Sequence, residues 1–111
     1  NCKKACEASF AAHGIAVTGD GDMTSVHHTD AESPFVRTLL ACYENYTGVK
    51  DAKPLAIGGG TYVHDIPGGV AFGCCMPGFN GNMHGADEHT CIADQLTAAK
   101  IFTQAIIDLC S

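Results

Sequence analysis

The chain has 111 residues, with six Lys plus Arg against twelve Asp plus Glu and a formal charge of −6, a length that suits one hydrophobic core and not two. An acidic balance with no basic patch and no interleaved aromatic run argues against nucleic acid as a partner. No apolar run approaches the roughly 20 residues that span a bilayer, so no membrane partner is expected; apolar residues at 46% and charged ones at 16% describe a folded chain, expected in the cytoplasm.

Residues 1–13 carry Cys6, Phe10 and His13 at helical spacing and stop at Gly14, which predicts a short helix. "IAVTGDGDM" then reads as a strand running into a turn, and "TSVHHTDAE" as a further extended segment in which His27 and His28 are solvated. Ser33 before Pro34 is a hydroxyl cap followed by proline at the first helical position, and Val36, Leu39, Leu40, Tyr43 and Tyr46 form one apolar stripe that ends at Gly48. "KPLAIGGGTYV" reads as a strand ending in a glycine triplet and "GGVAFGCCMPG" as a second strand buried on both faces. Asp94 can cap a last helix on which Leu96, Ala99, Phe102, Ile106 and Leu109 share a face.

The expected order is helix, strand, helix, strand, strand, helix: an α/β fold in which a small sheet is flanked by helices. The polar stretch 18–33 separates the first helix and strand from the rest, as if they belonged to a different layer. Seven cysteines are an odd number in apolar surroundings without C-x-x-C spacing, so reduced thiols packed as small hydrophobes are expected, and not a disulfide framework or a cysteine-ligated metal.

Two stretches carry chemistry. In "IGGGTY", residues 57–62, backbone N–H groups without Cβ atoms around them suit an anion or a developing oxyanion, but the Lys-Ser/Thr of a phosphate loop is missing. A simple glycine-permitted bend accounts for the same residues. In "NMHGADEHT", residues 82–90, His84, Glu88 and His89 are candidate metal ligands, although the histidines are five apart and not the four of the helical H-E-x-x-H motif. A solvated polar loop is the alternative. His64, beside Asp65, stays undecided.

Read together, "IGGGTYVHDIPGGVAFGCCMPGFNGNMHGADEHTCIADQLTAAKIFTQAIIDLC" resembles the carboxy-terminal end of the di-zinc metallopeptidases, closest to the bacterial dipeptidases related to carnosinase. The glycine triplet with Thr61, the "VAFG…PG" strand, the "MH…E" loop and the final helix follow in the family's order and spacing, over about residues 34–110. The resemblance implies that residues 1–26 end a lid (dimerisation-type) domain and that residues 27–111 form the C-terminal part of a zinc-peptidase catalytic domain. The chain would be a fragment of a longer enzyme.

The resemblance further implies that His84 ligates one of two zinc ions and that Glu88 orients its loop. Gly58, Gly59, Gly60 and Thr61 would contact a carboxylate or carbonyl oxygen of a dipeptide or short peptide substrate. The other zinc ligands and the general base would lie upstream of Asn1, so the isolated chain should hold zinc weakly and hydrolyse nothing; in the complete enzyme, metal-activated water would attack the peptide bond. Asp87 departs from the family's usual asparagine and His64 from its usual residue, which leaves an N-acyl amino acid hydrolase open. A non-catalytic α/β binding or assembly module is the other alternative. A severed sheet edge would make the isolated chain self-associate.

Overall fold

The computed structural model describes residues 2–17, 25–73 and 75–111. Its centre is a pair of helices whose ends the sequence marks plainly. In α2, Pro34–Thr47, the Ser33 hydroxyl accepts the Val36 N–H at 3.3 Å, and Gly48, at φ 73°, turns the chain out with its own N–H donating to the Glu44 carbonyl at 2.9 Å. Left-handed backbone at that position is what a helix stop without a Cβ provides. Helix α3, Ile92–Cys110, starts after Cys91 without a side-chain cap, and Asp94 falls within its first turn. A first helix, α1, Cys2–Ala11, stops short of the expected end, and a turn leads from it to Gly14 at φ 68°.

The core lies between α2 and α3. Leu39 and Cys42 of α2 and Ala98, Ile101 and Ala105 of α3 are buried with Met76, while Tyr43, Val70, Phe72 and Phe79 pack half-buried against them. Small Ala98 and Ala105 on one helix let the larger Leu39 of the other approach. A polar strip borders this contact: the Cys42 thiol donates to Asp108 Oδ2 at 3.4 Å, Gln104 Nε2 donates to Asp108 Oδ1 at 2.7 Å, and Tyr46 reaches Gln104 Oε1 at 3.5 Å. Among the described residues α1 packs against neither of the other helices.

The expected α/β fold is corrected here: the described residues contain three α-helices and a short 3-10 helix, Tyr62–Asp65, and no strand or sheet. A strand exists only through ladder bonds to a neighbour, and the segments 53–60 and 69–76 make none with each other. Their apolar side chains are used differently. Val70, Phe72 and Met76 lie against the helix pair, whereas Ala71, Gly73 and Cys75 face outward and Leu55 and Ile57 are exposed. The second segment is thus covered on one side, not on both. The turn expected after Val17 falls in residues 18–24, outside those described, as does Cys74.

Of the cysteines described, Cys42 is buried, Cys91 half-buried, and Cys6, Cys75 and Cys110 are exposed, all as free thiols. The expectation of buried thiols therefore holds at Cys42 and fails at the exposed positions. No helix among the described residues is long and apolar enough to cross a membrane.

Candidate functional site

Two loops carry the candidate residues. The first begins with Gly58, Gly59 and Gly60, all exposed. None has left-handed backbone, and a Cβ built on any of them would meet nothing within 4 Å. The backbone bends at Gly58 and Gly59, as glycines permit, and no close packing among the described residues requires the three glycines. Their N–H groups have no backbone partner among the described residues, and all three residues are open to solvent.

Thr61 follows as the cap of the 3-10 helix. Its hydroxyl accepts the Val63 N–H at 3.2 Å, and its own N–H lies 3.3 Å from His64 Nδ1, reproducing on a short turn the reciprocal bonding of a capping box. Beyond the turn, Ile66 N–H donates to the Val63 carbonyl at 3.0 Å and Gly69 N–H to the Ile66 carbonyl at 2.9 Å, rolling the loop up on itself.

The returning segment is pinned from a distance. His27 Nε2 donates to the Gly69 carbonyl at 2.8 Å and the Thr29 hydroxyl donates to the same oxygen at 2.7 Å. The His27 and His64 rings stand 5.6 Å apart at 49°. These contacts overturn the reading of His27 as a solvated side chain, while His28 is exposed as expected. No local signal points to them, because the partners are 40 and 42 residues apart.

The second loop is anchored at Phe79, whose ring packs on the helix-pair core and meets the His89 ring edge-on at 5.6 Å and 79°. His89 N–H donates to the Gly81 carbonyl at 3.0 Å, closing residues 81–89 into a compact loop. A Cβ at Gly81 would sit 2.5 Å from the His89 carbonyl oxygen, so only glycine permits that closure. Asn82 N–H turns back to Asn80 Oδ1 at 3.1 Å, and Gly85 N–H to the Asn82 carbonyl at 2.7 Å.

Asn82, His84 and Asp87 all have left-handed backbone, at φ 52°, 62° and 56°. That is uncommon for residues other than glycine and marks stored strain in this loop. His84 stands exposed near its tip and Glu88 is exposed as well. His89 Nδ1 donates to the Asp87 carbonyl at 2.8 Å, which holds that imidazole as a strut of the loop.

Among the described residues no group of three or more His, Cys, Asp or Glu side chains is close enough to hold a metal ion. A zinc site takes at least three protein ligands, so the residues present do not by themselves fit one zinc, still less two. His84 offers at most a single ligand. No hydrogen bond or ring contact among the described residues joins the two loops.

A Bacillus subtilis protein named "Putative dipeptidase YtjP" is 42% identical to this chain over 83 residues, 75% of the chain and 18% of that relative. A Staphylococcus epidermidis protein named "Putative dipeptidase" is 37% identical over 90 residues, 81% of the chain and 19% of its own length. A similarly named protein of Staphylococcus aureus (strain USA300) is 34% identical over the same share of the chain. The chain thus spans about a fifth of the length of the curated relatives it matches. No protein-family model matches it, and no solved structure does. The likeness to proteins named putative dipeptidase runs over most of this chain.

Proposed function

We propose that this chain is the part of a zinc-dependent dipeptidase that presents a substrate-facing glycine loop and one metal-ligating histidine, with the remaining ligands and the general base supplied by residues outside these 111. The observation that carries the reading is the 37% identity over 81% of the chain to a protein named for dipeptidase activity. The first loop supports it, because no packing among the described residues requires its three exposed glycines and their N–H groups have no backbone partner there.

In this reading Gly58, Gly59 and Gly60 donate to a carboxylate or carbonyl oxygen of a dipeptide. Thr61 adds its hydroxyl hydrogen, since its oxygen already accepts from Val63. His84 is one zinc ligand, placed at the tip of a loop whose strained backbone holds the imidazole away from the core. Glu88 steadies that loop. No bond-breaking step is assigned to these residues; they bind and orient, and the chain alone does not hydrolyse peptides.

The test is a chimera in which the matching segment of the Bacillus relative is replaced by this chain. It should hydrolyse unmodified dipeptides in preference to N-acyl amino acids. His84→Ala should lower turnover by at least about 100-fold, the upper range for loss even of a group that only supports a ligand. Wild-type turnover after that substitution, or cleavage confined to N-acyl amino acids, would defeat the reading.

A further inference from the structure

The His64 imidazole occupies a position with two possible bonds and one nitrogen to make them. Nδ1 is 3.3 Å from the Thr61 nitrogen and 3.1 Å from the Thr61 carbonyl oxygen. Unprotonated, Nδ1 accepts from the Thr61 N–H; protonated, it has no lone pair to offer and donates to the Thr61 carbonyl instead. The ring needs little movement to exchange one bond for the other.

We propose that His64 is a positioning residue for the glycine loop: backed by the His27 ring, it takes the Nε2–H tautomer when neutral, so that Nδ1 ties down the Thr61 N–H, and it releases that N–H when Nδ1 is protonated. The inference rests on the proposed substrate-facing role of that loop. With His64 neutral, the donors left toward solvent are those of Gly58, Gly59 and Gly60. With His64 charged, the Thr61 N–H joins them and a positive charge lies beside the row, so the loop becomes a better receptor for a carboxylate.

The ring has a second histidine beside it. His27 is held with Nε2 donating to the Gly69 carbonyl, and its ring centre is 5.6 Å from that of His64. The other charged or titratable groups on these elements are Tyr62 and Asp65 on the same turn and His28 and Asp30 on the segment that bears His27.

The Thr61 amide reports the bond directly. In the ¹⁵N-labelled 111-residue chain, hydrogen exchange at Thr61, corrected for its intrinsic pH dependence, should be slowed about fivefold more near pH 8 than near pH 5, the worth of one ordinary hydrogen bond. His64→Asn, whose Oδ1 can accept in place of Nδ1 without titrating, should keep the protection at both pH values; His64→Ala should lack it at both. The α2 and α3 amides check that each variant keeps its helix pair. Thr61 protection that is the same at both pH values, that survives His64→Ala, or that is absent in His64→Asn overturns the proposal. The readout involves no hydrolysis, so its failure is separate from failure of the dipeptidase reading.

Discussion

The Cys42 thiol is the residue at which burial and charge act together. It lies in the core at 2% exposure and donates to Asp108, and desolvation, that hydrogen bond and the carboxylate's negative charge all push its ionisation above the ordinary thiol value of 9.0. The sign of the consequence follows from which state holds the proton. Above the unfolded value the unfolded chain has lost its proton and the folded chain has kept it, so stability falls as pH rises. The contribution is fully present below about pH 9 and is lost through the folded value. Urea midpoints measured near pH 8 and near pH 10 should therefore drop in the wild-type chain. Cys42→Ala should show a shallower drop, because the carboxylate at Asp108 then faces no ionising thiol. Equal slopes in the two proteins would mean that Cys42 does not hold its proton in the fold.

At the scale of elements, α2 and α3 differ in how far their sequences reveal their packing. Helix α2 was legible because three separate signals agree: the Ser33 cap, Pro34 at the first position and Gly48 at the stop. Its expected stripe is nearly the buried one, with Val36 and Leu39 inside and only Tyr46 left exposed. Helix α3 was legible as a helix but not in its orientation. Of the expected face, Leu96, Ala99, Ile106 and Leu109 point outward and Phe102 meets Phe72 edge-on at 5.7 Å, while Ala98, Ile101 and Ala105 are the buried positions instead. A helix apolar on more than one side has no single stripe for periodicity to find. The extended segments failed for another reason. The apolar run at 69–76 fits a strand buried on both faces, but pairing is a property of two segments, and here the apolar positions are satisfied by one-sided contact with helices. In the candidate site, the exposure of the glycine triplet and of His84 agreed with their residue types, while the His27, His64 and Gly69 cluster depended on contacts some 40 residues apart. The α3 assignment is testable by comparing two isoleucines. Ile101→Ala should cost about 2–5 kcal/mol and visibly reduce helicity, whereas Ile106→Ala, at a position 63% exposed, should change stability by less than about 0.5 kcal/mol. Circular dichroism melts of the two variants decide it, and equal losses would place the wrong face inward.

At the scale of the whole molecule, the chain exposes far more surface than its mass requires. Its accessible area is 8798 Å², against about 5,800 Å² for a folded monomer of 11.5 kDa. Its radius of gyration is 19.0 Å, against about 13 Å for a compact chain of this length. Exposed apolar side chains concentrate on α3, where Ile92, Leu96, Ile106, Ile107 and Leu109 are open to solvent along one 19-residue helix. Each large apolar side chain taken out of water contributes roughly 1.5–3 kcal/mol. A stable pairing needs only about 800 Å² from each partner, well within the excess of about 3,000 Å² over the folded-monomer value. The 111-residue chain on its own should therefore self-associate, through the outer face of α3 and not through a sheet edge. A second copy fits because one two-fold axis lets the same apolar face cover itself. Sedimentation at micromolar concentration should show a dimer or larger species, and Leu96→Glu with Ile106→Glu should return it to monomer by placing charges that cannot be desolvated in that contact. A wild-type chain that sediments as a monomer across that range would show that the face is covered within the chain in solution. A dimer unaffected by the double substitution would move the interface elsewhere, to the exposed Leu55 and Ile57 of the segment before the glycine loop.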